Sequence, residues 1–157
     1  MQDSLSFSTS IPGRWQPPTF SMFKINVASL WKKHSNSGGL GAIICDSSGL
    51  VIAVWCDVCF SLGDTSQLYV WAIQKSLCLA KDLGLYRVIV ECDRKDVISI
   101  LNSKAPCLAS FGTVVDDICQ ISSSFSDVHF HFIPSLCKWL DHVWLRKLSI
   151  LLVVKLG

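Results

Sequence analysis

Residues 23–29 alternate apolar and polar side chains, and this two-residue period predicts a β-strand. A first strand covers 23–29, and two more cover 40–45 and 50–58. The polar segment 32–39 predicts a turn after the first strand. The segment 46–49 reads Asp-Ser-Ser-Gly, which is typical of a hairpin turn with positive φ at the glycine. Three strands joined by short turns predict an antiparallel meander.

Beyond residue 60, helical periodicity alternates with short apolar runs. Apolar residues at helical spacing predict four helices, which cover 67–83, 94–102, 113–121 and 134 onward. Gly84 is expected to stop the first of them. Two further strands are predicted at 88–92 and 127–133. A helix between the third and fourth strands permits a right-handed crossover, so the sheet is expected to be mixed.

The central stretch 86–101 places an aspartate where a buried strand gives way to a helix. Val88 and Val90 belong to a short β-branched run, and Asp93 follows this run directly. In an open α/β sheet, ligands bind at the carboxyl ends of the strands, which favours a functional Asp93. The alternative is that Asp93 is a helix N-cap, with Asp96 as its weak partner at the third helical position.

Composition indicates one globular domain. The chain has 157 residues, of which 50% are hydrophobic and 17% charged, enough for one sizeable core. A net charge of +2 does not by itself predict nucleic-acid binding. Glu91 is the single glutamate, so a site that needs several carboxylates must draw on aspartates.

The eight cysteines are scattered, and most of them lie in apolar runs. We expect reduced, buried thiols in an intracellular protein. Cys56 and Cys59 form an isolated C-x-x-C pair, which does not favour a metal site without further ligands. The expected organisation is a flexible leader over 1–14, a domain over 15–147 and a divergent apolar tail over 148–157, which is too short to span a bilayer.

Several segments together resemble a known family. They are Trp15-Gln16-Pro17-Pro18, Phe23-Lys24-Ile25-Asn26-Val27, GGLGAIICDSSGLVIAV (38–54), WAIQKSLCLAKDLGL (71–85), VIVECDRKDVISILNS (88–103) and the stretch 130–146. Across about residues 15–147 the chain resembles the plant reverse-transcriptase-like branch of the ribonuclease H type 1 family, which derives from non-LTR retroelements.

The resemblance implies a fold and an activity. The fold is α/β, a ribonuclease H-like five-stranded mixed sheet with three antiparallel strands, then two parallel strands, and helices on both faces. The activity is endonucleolytic cleavage of the RNA strand of an RNA–DNA hybrid, with two Mg²⁺ ions as cofactors. Clustered carboxylates hold these ions, which stabilise the attacking water and the leaving oxygen.

The family's four metal-binding positions carry over unevenly to this chain. The aspartate expected at the end of the first strand is replaced by Ala28, and the glutamate of the first long helix by Tyr69. The third acid is retained as Asp93, the candidate metal ligand. The fourth position, often His in the plant branch, is His142. Asp93 and His142 are therefore the candidate catalytic residues, and the two losses predict impaired catalysis.

Two short basic segments are candidates for nucleic-acid contact, since Lys and Arg neutralise phosphates and polar turn residues can reach a 2′-hydroxyl. The candidates are Lys32, Lys33, Asn36, Arg94 and Lys95. Ordinary solvated surface is the alternative for both segments.

Three functional hypotheses follow. The first is a ribonuclease H-like domain that binds an RNA–DNA hybrid or another nucleic acid, with weak or no cleavage. The second is an active Mg²⁺-dependent hybrid endonuclease, in which an unrecognised acid shares the metal ions with Asp93 and His142. The third is a non-catalytic protein-interaction module that uses the apolar tail over 149–154. In each case we expect a monomer that does not enter a membrane.

Overall fold

The computed structural model describes residues 15–32, 34, 37–60, 65–103 and 105–134; for 29–32 and Phe60 it describes the backbone alone. Five strands in these ranges form one sheet in the order β3-β2-β1-β4-β5. The elements in chain order are β1 (Phe23–Lys32), β2 (Ser37–Cys45), β3 (Val51–Phe60), α1 (Thr65–Asp82), β4 (Arg87–Cys92), α2 (Lys95–Asn102), α3 (Gly112–Ser122) and β5 (Asp127–Phe132).

Strand pairing confirms the predicted mixed sheet. β1 pairs antiparallel with β2, and β2 with β3, while β4 runs parallel to both β1 and β5. The Asp46 carboxylate closes the predicted hairpin turn by accepting hydrogen bonds from the Ser48 and Leu50 N–H groups, each at 2.9 Å. Gly49 has φ +81°, as predicted for this turn.

The first turn is shorter than the sequence predicts. Residues 32–39 were expected to be a polar turn, but β1 extends to Lys32 and β2 begins at Ser37. Gly38 and Gly39 pair with Trp31 and Leu30 across the hairpin. Ladder hydrogen bonds and burial in the sheet outweigh the low strand propensity of these small residues.

The core lies between the sheet and α1. Ile25 and Val27 of β1 and Val90 of β4 are fully buried, and Ile73 and Leu77 of α1 pack against the same core. α2 and α3 contact α1 and each other, so the described helices share one face of the sheet. The helix predicted from 134 onward lies outside the described residues. None of the helices in the described ranges is long and apolar enough to cross a membrane.

Helix α1 ends at the predicted glycine. Gly84 has φ +73°, a conformation that glycine adopts without the steric penalty of a Cβ. The Gly84 N–H donates to the Lys81 carbonyl at 3.0 Å and the Leu85 N–H to the Ala80 carbonyl at 2.9 Å. These bonds satisfy carbonyls that the end of the helix would leave exposed.

The expectation that most cysteines are buried is wrong for the described ones. Cys45 and Cys92 are buried, but Cys78 and Cys119 are exposed and the other three are half-buried. Cys78 and Cys119 lie on the outer faces of α1 and α3, a position that an apolar run in the sequence does not reveal. Burial raises the pKa of the Cys45 thiol to about 11, which keeps this thiol protonated at neutral pH.

Candidate active site

The parallel pairing of β1 and β4 brings two predicted site positions together. Asn26 lies opposite Glu91 in this ladder. Two residues further along each strand are Ala28 and Asp93, so continuing the register makes them lateral neighbours on the same face of the sheet. The carboxylate of Asp93, directly after β4, is therefore expected beside the methyl group of Ala28, which lies inside β1.

Asp93 follows β4 directly and is half-buried, with its Oδ1 atom shielded from solvent. The N-cap of α2 is Arg94, and the helix begins at Lys95. The alternative that Asp93 caps this helix is therefore wrong, because the helix begins one residue too late. Asp93 occupies the strand end, where a ligand-binding carboxylate is expected in an α/β sheet.

Tyr69 lies near the start of α1 and is only 7% exposed. The guanidinium carbon of Arg94 is 5.8 Å from the centroid of its ring, within range of a cation–π interaction. The position at which the resemblance expects a glutamate thus holds a buried aromatic ring with a cation beside it.

Arg94 is held by side chains from both helix starts, a group that we call the Arg94 cluster (Arg94, Asp96, Thr65, Ser66 and Tyr69). Its Nε donates to Asp96 Oδ1 at 3.0 Å and its Nη2 to Asp96 Oδ2 at 2.8 Å. Arg94 also donates to the hydroxyls of Thr65 and Ser66, and the Ser66 hydroxyl donates to Asp96 at 2.7 Å. Hydrogen bonding from Arg94 holds the pKa of the Asp96 carboxyl well below its usual range.

A second polar group, the Glu91 cluster, contains Glu91, Lys24, Asn26, Trp15 and Gln16. Glu91 Oε1 lies 2.8 Å from Lys24 Nζ, and Oε2 accepts from Asn26 Nδ2 at 2.9 Å. Asn26 Oδ1 accepts from Trp15 Nε1 at 2.9 Å, while Lys24 also donates to the Gln16 carbonyl and lies 5.3 Å from the Trp15 ring centroid. Both oxygens of the single glutamate are thus engaged in the structure.

The donor set does not fit the two Mg²⁺ ions that the resemblance implies. Mg²⁺ requires hard, anionic oxygens. Asp93 supplies a carboxylate, but Ala28 offers no donor, and the neighbouring acids Glu91 and Asp96 already pair with cations. Across the described ranges, no group of three or more His, Cys, Asp and Glu side chains is arranged to hold a metal ion.

The structure reaches only some of the predicted nucleic-acid contacts. Lys95 is exposed at the first residue of α2, two residues from Asp93. The Arg94 side chain makes its hydrogen bonds within the Arg94 cluster, a structural role that the sequence did not reveal. Lys32 ends β1, where the backbone alone is described. The remaining predicted site residues lie outside the described ranges: Lys33, Asn36 and His142.

Sequence reasoning missed both polar clusters. Lys24 and Asn26 occupy the polar phase of β1, which normally indicates solvent exposure. The available signal was Trp15 in the Trp-Gln-Pro-Pro segment, a large aromatic residue with a hydrogen-bond donor that needs a partner when buried. For Arg94, the signal was the Arg-x-Asp spacing at a helix start.

A family model described as reverse transcriptase-like matches residues 26–137, which is most of the chain. The match includes the positions of Ala28, Tyr69 and Asp93. No curated protein matches the sequence.

Several solved structures that share this fold are ribonucleases H. RNase H1 of the archaeon Halobacterium salinarum superposes with a TM-score of 0.63 at 14% identity, covering 72% of this chain and 86% of its own. The N-terminal RNase H domain of a Mycobacterium tuberculosis protein superposes with a TM-score of 0.63 at 14% identity, covering 72% of this chain and 82% of its own. LC11-RNase H1 in complex with an RNA/DNA hybrid superposes with a TM-score of 0.58 at 15% identity, covering 71% of this chain and 85% of its own. At these identities the likeness establishes the fold alone.

Proposed function

The chain belongs to the reverse transcriptase-like family, and we propose that it is a ribonuclease H-like domain that binds nucleic acid and has lost efficient cleavage. The observation that carries this proposal is that Asp93 is the one acid kept among the three family positions in the described ranges, since Ala28 and the buried Tyr69 occupy the other two. One carboxylate stands where the family's chemistry uses a cluster. Descent from a plant retroelement is part of the same proposal, supported by the resemblance of the sequence.

Loss of cleavage follows from the charge that the reaction requires. Hydrolysis of a phosphodiester by paired metal ions needs both ions held close together, one for the attacking water and one for the leaving oxygen. Asp93 alone cannot offset that much positive charge. Losing even an outer partner of a metal ligand lowers affinity or activity by about 10- to 100-fold, and here two direct ligands are replaced.

Binding of an RNA–DNA hybrid is the ligand assignment that the fold supports best. LC11-RNase H1, which shares this fold, was solved with such a hybrid. In the present chain, Lys95 is exposed beside Asp93, at the end of the sheet where ligands of α/β proteins bind. A lysine there contacts phosphates without reading sequence.

A cleavage assay on a labelled RNA–DNA hybrid, with Mg²⁺ and then with Mn²⁺, tests the loss of catalysis. We expect the wild type to cleave no faster than its Asp93→Asn variant. Cleavage that Asp93→Asn abolishes would instead establish the active hybrid endonuclease, with another acid completing the metal site.

Salt-dependent binding to the uncleaved hybrid tests the ligand. We expect affinity to fall as salt rises, because each phosphate contact releases counterions. Lys95→Ala should reduce the slope of log affinity against log salt by about one. Lys81→Ala, at the far end of α1, is the matched control and should leave the slope unchanged. No salt-sensitive binding at all would favour the protein-interaction module.

A further inference from the structure

Arg94 places a fixed positive charge beside Tyr69, one of the family's metal-ligand positions. It follows Asp93 in the chain, and its guanidinium lies 5.8 Å from the Tyr69 ring centroid. Its forked contact with Asp96 and its bonds to the Thr65 and Ser66 hydroxyls define its orientation. A guanidinium stays protonated at every pH relevant to a folded protein, so this charge is permanent.

This arrangement opposes metal binding in two ways. The guanidinium repels a divalent ion directly, and the repulsion is stronger in a partly buried site than in water. Arg94 also pairs with Asp96, which is otherwise a carboxylate three residues from Asp93. The cluster therefore places a cation beside the Tyr69 position and keeps a nearby carboxylate paired with that cation.

We propose that Arg94 is an internal cation that takes the place of the family's metal ions and excludes them from this site. This inference rests on the proposed function and deepens it: replacement of the acids at Ala28 and Tyr69 is one barrier to metal binding, and Arg94 is a second. Arg94 also joins the starts of α1 and α2, since it bonds to Thr65 and Ser66 on one helix and pairs with Asp96 on the other.

Because Arg94 lies close to position 69, we can predict what restoring the lost acids would do. A glutamate introduced at position 69 would lie within reach of Arg94 and would form an ion pair with it. The two-acid variant, Ala28→Asp with Tyr69→Glu, should therefore gain little affinity for Mn²⁺ while Arg94 is present. Removing the charge of Arg94 should release both the new carboxylate and Asp96.

Calorimetric titration with Mn²⁺ alone tests this in three proteins: the two-acid variant, the same with Arg94→Gln, and the same with Arg94→Lys. We expect Arg94→Gln to raise Mn²⁺ affinity by about tenfold or more, the size of one charge effect in a partly screened site. Arg94→Lys keeps the charge but not the fork, so it should give a much smaller gain.

Two results would overturn the role of Arg94. One is a two-acid variant that binds Mn²⁺ equally well with Arg94 and with Gln at that position; the other is an Arg94→Lys gain equal to that of Arg94→Gln. Circular dichroism checks that each variant is folded. If Tyr69→Glu disrupts the fold, Ala28→Asp with and without Arg94→Gln gives the same comparison. The titration uses no nucleic acid, so hybrid cleavage by the wild type would refute the proposed function separately.

Discussion

The acids of the Glu91 cluster and the Arg94 cluster, Glu91 and Asp96, lie within three residues of Asp93 in the chain. The two clusters differ in burial. The Lys24 and Glu91 side chains are 8% and 11% exposed, and their ion pair is enclosed by Trp15 and Gln16. The Arg94 and Asp96 side chains are 31% and 49% exposed. In each cluster, an acid that lies near Asp93 in the chain is paired with a cation.

Because the two ion pairs differ in burial, we expect one of them to affect the stability of the protein and the other to affect ion binding. A buried charge that loses its partner is left without solvation, so the Glu91 cluster is expected to govern stability. A half-exposed ion pair is largely solvated, so the Arg94 cluster is expected to contribute little to stability. Its effect should instead be on which ions the site accepts.

The largest expected effect is on the buried ion pair. Lys24→Met should lower the free energy of unfolding by about 3–5 kcal/mol, because Glu91 stays buried without its cation. Urea unfolding at neutral pH measures this loss.

A double substitution provides the control for that loss. Lys24→Met with Glu91→Leu removes both charges and should recover most of the stability, since replacing a whole buried pair by apolar residues is often nearly neutral. A double variant as unstable as Lys24→Met alone would show that the loss comes from packing around Trp15 and not from the uncompensated charge.

An intermediate loss of stability is expected when the Asn26 side chain, whose amide links Trp15 to Glu91, is removed. Asn26→Ala removes the acceptor of the Trp15 Nε1–H and a donor to Glu91 Oε2. Leaving part-buried polar atoms without partners costs about 1–3 kcal/mol. Trp15→Phe removes one of these hydrogen bonds and part of the aromatic surface, and it leaves the bond between Asn26 and Glu91 in place. Urea unfolding of both variants measures their losses of stability. The comparison should show whether the loss in Asn26→Ala includes a contribution from the broken hydrogen bond to Glu91.

Much of the fold was predictable because its signals are local. Alternation in β1, the Asp-Ser-Ser-Gly turn and the stop at Gly84 each depend on a few neighbouring residues, and the structure confirms them. The start of β2 was not predictable in this way, because Gly38 and Gly39 have low strand propensity and join the sheet only through pairing with β1 and β3.

The site was predictable only in part, for a related reason. Sequence reasoning placed Ala28 and Asp93 at strand ends. This is right for Asp93, which follows β4 directly, and wrong for Ala28, because β1 continues to Lys32. Sequence reasoning could not show that Glu91 and Asp96 are each paired with a cation, since these pairs depend on side-chain geometry. The contact between Arg94 and Tyr69 joins two elements that are distant in the chain, and a residue pattern does not predict it.

The smallest expected effect on stability is that of the half-exposed pair, and its pH dependence identifies it. Arg94 lowers the pKa of Asp96 in the folded protein below the unfolded value of about 3.9. The stabilisation is therefore present above about pH 4 and is lost as the pH falls through the folded pKa. Because both side chains are substantially exposed, Arg94→Gln should destabilise the protein by no more than about 1 kcal/mol at pH 7.

Two conditions distinguish this half-exposed pair from the buried one. In urea unfolding, the difference between wild type and Arg94→Gln should shrink in high salt, because exposed charges are screened, and should shrink again below pH 4. The Lys24→Met difference at pH 7 should persist in the same salt, since a buried pair is screened much less. An Arg94→Gln loss that equals the Lys24→Met loss and resists salt would mean that both clusters hold the fold together. Arg94 would then be retained for stability, and metal exclusion would be a by-product of that structural role.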